Sequence, residues 1–251
     1  MCGIIGYLGN KPIVPVLIDG LRRLEYRGYD SAGIALVSNG DINIRRSAGK
    51  LERLEQVITA DPINGDYGIG HTRWATHGRP TEENAHPHRD CTEKIVVVHN
   101  GIIENYLDLK QDLVNAGHTF LTETDTEVIA HLVEAELPHA NFEQAVRRAL
   151  QKLRGLFGVV IINANEPNKI LAARNGPPII VGLGDDEFVV ASDVTAILNH
   201  TKDVIFLGDM PASTLSSRFC EMTKEFVGKF GGGLVVISGP RFGPSLSLIH
   251  I

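Results

Sequence analysis

Cys2-Gly3-Ile4-Ile5-Gly6 follows Met1 and combines a thiol with the start of an apolar strand. A cysteine so close to a chain end is an unusual structural choice, because termini are commonly mobile and exposed to solvent. If Met1 is removed, Cys2 carries both a nucleophilic sulfur and a free α-amine, whose pKa of about 8 allows it to act as the base for its own thiol. The alternative is a cysteine that merely begins a buried strand.

The composition indicates a chain that can bury a sizeable hydrophobic core, and it argues against nucleic acid and membranes as partners. With 251 residues, of which 43% are hydrophobic, we expect one large domain or two small ones. The net charge of −6 gives no electrostatic reason to expect binding to nucleic acid or to an anionic membrane. The sequence has neither an apolar run long enough to span a bilayer nor a signal-peptide pattern, so we predict no membrane partner.

The number and spacing of the cysteines indicate the cellular compartment. Cys2, Cys91 and Cys220 are odd in number, widely spaced and form no CxxC pair. Neither a disulfide framework nor a zinc knuckle is therefore indicated. A reducing cytoplasm is the simplest location, and it would also keep an exposed Cys2 reduced.

The apolar periodicity predicts a mixed α and β fold with hairpins rather than a regular alternation of strand and helix. Residues 4–8 form a predicted strand, residues 14–24 carry the apolar stripe of a helix, and residues 33–46 predict a hairpin with an Asn-Gly turn. Further helices are predicted at 51–58, 126–137 and 142–153, and further short strands at 95–98, 156–163, 170–173, 179–182, 187–191 and 204–207. These elements favour sheets packed face to face with helices outside them.

Two internal segments, together with Cys2, concentrate residue types that carry chemistry. Residues 71–78 are dense in polar and aromatic side chains, and Arg73 suits a bidentate grip on a carboxylate. The alternative for Arg73 is a surface ion pair. Residues 98–101 end a buried strand with Asn100-Gly101, whose side-chain and backbone N–H groups together would make an oxyanion hole. The alternative is a simple turn, since Asn-Gly is a strong turn signal.

A third segment, residues 123–127, is rich in acids that either begin a helix or supply a carboxylate for a substrate ammonium group. A metal interpretation rests on His71, His77, His86 and His88. Imidazole is a common metal ligand, yet a proline extends the chain between two of these histidines, and no carboxylate or thiol recurs at a spacing typical of zinc sites. We therefore predict no metal and no cofactor.

These segments together resemble one family. They are Cys2-Gly3-Ile4-Ile5-Gly6 and residues 21–33, 71–78, 84–88, 98–104 and 123–132. In this combination the chain is similar to the class II glutamine amidotransferases, and within them to the glutaminase domains of the glutamine–fructose-6-phosphate aminotransferases. The discriminating stretch is Leu24-Glu25-Tyr26-Arg27-Gly28-Tyr29-Asp30, because relatives that make phosphoribosylamine or asparagine differ around this Arg-Gly. The resemblance implies an α+β fold, the four-layer sandwich of the N-terminal-nucleophile hydrolases, with two antiparallel sheets between helical layers.

The resemblance also implies a role for each matching position. Cys2 would be the nucleophile, with its freed α-amine as base, and Asn100 with the Gly101 N–H would form the oxyanion hole. Arg73 would hold the α-carboxylate of L-glutamine, and Asp125 would hold the α-ammonium group. The implied reaction is hydrolysis of the glutamine side-chain amide to glutamate and ammonia through a cysteinyl thioester.

Four more positions receive supporting roles from the same resemblance. Thr76 and His77 would line the glutamine pocket. Trp74 would gate a channel that delivers ammonia to a second site, and Arg27 would support the active-site loops.

The resemblance fades from about Asp209, which predicts a glutaminase domain at residues 2–208 and a divergent tail or linker with no recognised domain at residues 209–251. Members of the family continue into a sugar-phosphate isomerase domain, which is missing from this chain. The favoured function is therefore that of the ammonia-supplying domain of an aminotransferase. The alternatives are a stand-alone glutaminase, an ammonia-supplying subunit of a related amidotransferase, and a non-catalytic glutamine-sensing module.

Overall fold

The structure, a computed structural model, describes residues 2–74, 78–201, 204–206, 233–237 and 249–250. These residues form thirteen strands and five α-helices. The strands are β1 (Gly3–Gly9), β2 (Ser31–Ser38), β3 (Asp41–Ala48), β4 (Tyr67–Arg73), β5 (His88–Arg89), β6 (Ile95–Ile103), β7 (Gly155–Asn163), β8 (Lys169–Asn175), β9 (Ile180–Gly184), β10 (Glu187–Ala191), β11 (Val204–Phe206), β12 (Gly233–Ile237) and β13 (Ile249–His250). The helices are α1 (Ile13–Leu24), α2 (Leu51–Ala60), α3 (Tyr106–Asn115), α4 (Glu127–Glu136) and α5 (Phe142–Gln151). In these ranges we find no helix with the length and apolarity that crossing a membrane requires.

The strands form two sheets. Sheet 1 has the order β11-β9-β10-β1-β4-β2-β3, and all its pairs are antiparallel. Sheet 2 has the order β13-β12-β8-β7-β6-β5, with one parallel pair between β8 and β12. Strand β1 lies inside sheet 1, between β10 and β4, so the chain enters the fold directly at a central strand.

Alternation of apolar side chains along the strands divides the core into layers. In β1, Ile4 faces the core between the sheets, whereas Ile5 faces the helices α1 and α2. A third cluster packs the outer face of sheet 2 against α3, α4 and α5. Helix α1 lies so close to β1 that a Cβ on Gly20 would meet Ile5 Cδ1 at 1.8 Å. The four layers confirm the sandwich that the resemblance implies, apart from the parallel β8–β12 pair.

Most predicted elements are confirmed with small changes at their ends. The hairpin turns at Asn39-Gly40, where both residues have positive φ, and Asn141 caps α5 by accepting a hydrogen bond from Gln144 N at 2.9 Å. Helix α3 was not predicted, because its apolar residues do not share one face: Leu107 is exposed, whereas Leu113 is buried. The strand predicted at 95–98, with Asn100-Gly101 at its end, is longer than expected, since β6 continues through both residues to Ile103.

Candidate functional site

At one end of the sandwich the core between the sheets becomes polar. In β4, Ile69 belongs to this core, and His71 and Arg73 follow on the same face because side chains alternate along a strand. In β6 on the facing sheet, Val98 belongs to the core and Asn100 follows it on the same face. On the buried face of each strand, polar side chains therefore follow the apolar ones. The polar side chains of the two strands meet beside Cys2.

Cys2 is held at this end by Thr72 near the end of β4 and by Trp74, which follows the strand. Gly3 pairs with Thr72, which brings Cys2 level with the end of β4. The Trp74 N–H donates to Cys2 Sγ at 3.2 Å, and the thiol lies 3.6 Å from the Trp74 carbonyl oxygen, which accepts from it. Gly28 permits this arrangement, because a Cβ there would lie 2.8 Å from the Arg73 carbonyl carbon.

The Asn100 amide has a fixed orientation. Its Nδ2 donates to the Cys2 carbonyl oxygen at 3.1 Å. His71 Nε2 lies 3.0 Å from Asn100 Oδ1 and 3.0 Å from the His99 carbonyl oxygen. Because both of these partners are acceptors, His71 Nε2 carries the proton and donates. The amide nitrogen of Asn100 consequently faces Cys2.

The histidine that orients Asn100 is neutral. Complete burial lowers the pKa of His71 to about 3, although its hydrogen bonds to Asn100 and His99 oppose the shift. The His86 ring stacks on His71 with ring centroids 4.1 Å apart, and burial also holds the pKa of His86 well below its usual range. Thr126 Oγ1 lies 2.9 Å from His86 Nε2 and 3.0 Å from His99 Nδ1. These two contacts connect the start of α4 to the buried histidines.

Arg73 and Asp125 bring opposite charges to the same cavity, and both are buried. The Arg73 guanidinium donates to the Gly78 and Arg79 carbonyl oxygens, each at 3.2 Å. The Asp125 carboxylate accepts a hydrogen bond from Ile103 N at 2.8 Å. A buried guanidinium and a buried carboxylate at one cavity suit the carboxylate and ammonium groups of a free amino acid.

The cavity has a volume of about 300 Å³. Every predicted site residue that the structure describes lines it, namely Cys2, Arg27, Arg73, Trp74, Asn100, Gly101 and Asp125. Thr76 and His77 lie outside the described residues. Thr124 and Thr126 also line the cavity. Motif and residue type predict no role for either of them, and the one signal in the sequence is their position on both sides of Asp125. A larger cavity of about 1040 Å³ at the far end of β1 contains none of the predicted residues.

Arg27 supports one side of the cavity. It lies in a short 3-10 turn, Glu25–Arg27, and its Nη1 donates to the Ser192 carbonyl oxygen at 3.1 Å and to Asp193 Oδ2 at 2.9 Å. Ser192 in turn accepts a hydrogen bond from Ile4 N at 2.9 Å. The Arg27 turn is thus connected to the beginning of β1.

The Cys2 thiol is not activated by its surroundings. Burial raises its pKa, and the nearby Asp30 carboxylate acts in the same direction, whereas the Trp74 N–H and the Arg73 charge oppose them. Because the thiolate is the nucleophilic form, attack by Cys2 requires a base.

Comparison with known proteins shows the family of this chain. The family described as "Glutamine amidotransferase domain" matches residues 71–199. The glutamine–fructose-6-phosphate aminotransferase [isomerizing] of Thermococcus kodakarensis is 52% identical over 210 residues, which are 83% of this chain and 35% of that protein. The protein of the same name from Mycobacterium bovis is 49% identical over 224 residues, 86% of this chain and 36% of its own length. The chain thus spans about a third of the length of these curated relatives.

Solved structures support the fold as well. The glutamine phosphoribosylpyrophosphate amidotransferase of B. subtilis, complexed with ADP and GMP, aligns with a TM-score of 0.68 at 28% identity, covering 82% of this chain and 44% of that one. A structure described as the allosteric regulatory enzyme of purine biosynthesis aligns with a TM-score of 0.71 at 29% identity, with the same coverage of 82% and 44%. The chain therefore belongs to the glutamine amidotransferase family.

Proposed function

We propose that this chain hydrolyses the side-chain amide of L-glutamine to glutamate and ammonia through a cysteinyl thioester. The observation that carries the proposal is the grouping of Cys2, the Asn100 amide and the Arg73–Asp125 pair of charges around one cavity. The nucleophile, the oxyanion donor and the amino-acid anchors are separate requirements of the reaction, and this cavity offers a candidate for each of them.

The chemistry follows from the positions of these groups. After removal of Met1, the α-amine of Cys2 takes the thiol proton, and the sulfur attacks the amide carbon of glutamine. The oxygen of the tetrahedral intermediate receives hydrogen bonds from Asn100 Nδ2 and the Gly101 N–H. The α-ammonium group returns the proton to the leaving nitrogen, ammonia departs, and the thioester remains. Water activated by the same amine then attacks the thioester, which releases glutamate and restores the thiol.

Binding of glutamine would depend on its amino-acid end. Arg73 would bind the α-carboxylate and Asp125 the α-ammonium group, with Thr76 and His77 lining the same pocket. Trp74 is suited to gate the exit of ammonia, since it lines the cavity yet is 50% exposed. Its ring contacts Tyr29 edge-on, with centroids 5.7 Å apart. Arg27 would keep the surrounding loops in place.

The relatives suggest the wider context. Because they are named for transfer to fructose 6-phosphate, we assign the ammonia of this reaction to a sugar-phosphate site in an isomerase domain outside this chain. Residues 2–208 would be the glutaminase domain, working in the cytoplasm. A stand-alone glutaminase and an ammonia-supplying subunit of a related enzyme are the alternatives. A sensing module is less well supported, because binding alone needs neither Cys2 nor the oriented Asn100.

The test is glutamate release from glutamine by protein whose N-terminal residue is read by mass spectrometry. Cys2→Ala should abolish turnover, and protein that retains Met1 should be nearly inactive, since its Cys2 nitrogen is an amide and cannot accept a proton. Asn100→Ala should lower kcat by about 10²–10³, the effect expected for one oxyanion donor.

A matched variant separates binding from chemistry. Arg73→Lys keeps the charge but loses the bidentate geometry, so it should mainly raise KM for glutamine. Near-normal turnover by Cys2→Ala would eliminate the mechanism. A pure KM effect in both Asn100→Ala and Arg73→Lys would show that Asn100 is not an oxyanion donor.

A further inference from the structure

We propose that Cys91, His118, His131 and Glu134 form a structural zinc site. The site lies on the helical side of sheet 2 and is separate from the glutamine cavity. Cys91 is in the turn between β5 and β6, His118 follows α3, and His131 and Glu134 lie three residues apart on α4. The proposal does not depend on the proposed function.

The ligand atoms have the spacing of a tetrahedral site. Each residue offers one atom, and all four atoms lie within 4.8 Å of one another. His118 Nδ1 lies 3.3 Å from His131 Nδ1, and Cys91 Sγ lies 3.8 and 3.5 Å from these two nitrogens. Glu134 Oε2 lies 3.0 and 3.3 Å from the same nitrogens. Bond lengths of zinc to sulfur, nitrogen and oxygen place tetrahedral ligands roughly 3.3–3.6 Å apart. The observed separations lie close to this range.

His131 stands at the centre of this group of ligand atoms. Its Nε2 is buried without a hydrogen-bond partner among the described residues and lies 3.6 Å from the Glu127 carboxylate. Its Nδ1 lies 3.3 Å from Glu134 Oε2, 3.5 Å from Cys91 Sγ and 3.3 Å from His118 Nδ1. These are four atoms of the types that bind zinc, and an ion between them would accept a lone pair from each.

The surroundings match those of known metal centres. A histidine that binds a metal commonly directs its other ring nitrogen to a carboxylate, and Glu127 occupies that position behind His131. Glu127 is itself held by hydrogen bonds from Leu121 N and Thr122 N, each at 2.8 Å. The Thr119 N–H donates to Cys91 Sγ at 3.4 Å, which fixes the position of the sulfur.

The donor set indicates which metal and which role. One thiolate, two imidazoles and one carboxylate in tetrahedral array suit zinc, whereas magnesium and calcium prefer oxygen ligands alone. Four protein ligands leave no open position, which is typical of a structural site rather than a catalytic one. The ion would tie Cys91 and α4 to the start of the loop that runs from His118 to Asp125.

The experiment measures metal on the whole chain. Purified protein, treated with a chelator and then dialysed against zinc, should contain one zinc ion per chain. Substitution with Co²⁺ should give the near-ultraviolet thiolate-to-cobalt band and the visible bands of a tetrahedral ion. Protein that takes up less than stoichiometric zinc and shows no such bands would overturn the proposal, and this measurement requires no variant to fold.

Variants assign the ligands. Cys91→Ser should lose the thiolate-to-cobalt band, whereas Cys2→Ala, which removes a different thiol, should keep it. His118→Ala should lose metal, while His139→Ala, at an exposed histidine beyond α4, should retain it. Glu127→Gln should weaken zinc binding about 10- to 100-fold without changing the cobalt spectrum. A thiolate-to-cobalt band that persists in Cys91→Ser would contradict the assignment.

Discussion

The side chain of Asn100 can donate to an oxyanion only if its nitrogen, and not its oxygen, faces Cys2. His71 determines which of these two atoms faces Cys2, because its Nε2–H donates to Asn100 Oδ1 at 3.0 Å. His71 does not need to touch substrate for this effect. It is a positioning residue, and its contribution is the orientation of the amide.

Replacement of His71 should therefore damage chemistry more than binding. A neutral hydrogen bond contributes about 1 kcal/mol, or roughly a five-fold rate effect, so His71→Phe should lower kcat at least that much with little change in KM. His71→Gln can present an N–H near the position of Nε2 and should recover part of the rate. Steady-state kinetics on folded variants give both constants. Equal loss in the two variants, or an effect confined to KM, would contradict the positioning role.

At the scale of elements, the pairing of β6 with β7 determines how closely the two strands approach at Gly101. This residue pairs with Phe157 and has a φ of +133°, a backbone conformation that residues with a Cβ rarely adopt. A Cβ there would also lie 1.9 Å from the Leu156 carbonyl oxygen. Glycine is thus required both by the backbone conformation and by the neighbouring strand.

Gly101→Ala and Gly117→Ala separate these two requirements. Gly117 also has a positive φ, +98°, but nothing lies within 4 Å of the position that its Cβ would take. Backbone strain alone should cost Gly117→Ala about 1–3 kcal/mol. Gly101→Ala should lose more stability and should also reduce glutaminase activity, because β6 must shift beside Asn100. Urea unfolding measures the difference, and equal losses of stability would show that the contact with Leu156 is unimportant.

At the scale of the whole molecule, four buried histidines make stability depend on pH. Burial lowers the pKa of His71 and His88 to about 3, and it lowers the pKa of His86 and His99 as well. In the unfolded chain a histidine titrates near pH 6.5. The unfolded state therefore binds more protons below that pH, and the folded state loses relative stability as the pH falls from about 6.5 towards 3.

The free energy of unfolding should be nearly flat only above about pH 7.5 and should decline increasingly steeply as the pH falls through about 6.5. Each histidine that stays neutral in the folded state contributes up to about 1.4 kcal/mol per pH unit to the slope. His88→Gln should make the slope shallower, whereas His139→Gln, at an exposed position, should leave it unchanged. Urea unfolding at several pH values between about 5.5 and 7.5 covers the window. A flat profile throughout would mean that these histidines are protonated in the folded state.

The described residues of the C-terminal segment, 233–237 and 249–250, extend sheet 2, and none of them lines the glutamine cavity. Strand β12 pairs in parallel with β8, and Gly233 lies opposite Lys169. Truncation after residue 208 removes β12 and leaves the edge of β8 unpaired, so the Tm should fall. Glutaminase activity below that Tm should persist, since all the proposed catalytic and glutamine-binding residues lie at Asp125 or earlier. Loss of activity in a folded truncated protein, as judged by circular dichroism, would show that the glutaminase domain extends beyond residue 208.

The sequence alone determined which segments form most of the elements and which residues carry chemistry. Alternating and helical apolar patterns predict the strands and helices locally, because they depend only on which face of an element is buried. Cys2, Arg73, Asn100 and Asp125 could be named from residue type and motif. Charged and amide side chains cost free energy to bury, and a cysteine is unusual near a chain end. Such residues can therefore be recognised as functional candidates from the sequence.

Which side chains meet depends on how the strands and helices pack together. His71 orients Asn100 because β4 and β6 come from facing sheets, and neither periodicity nor spacing encodes that pairing. Ligand spacing along the chain predicts no metal, whereas two of the proposed zinc ligands, Cys91 and His131, come from separate elements and lie 3.5 Å apart only in the fold. Sequence patterns report burial, which is local, while contacts between elements depend on register and packing of the entire fold.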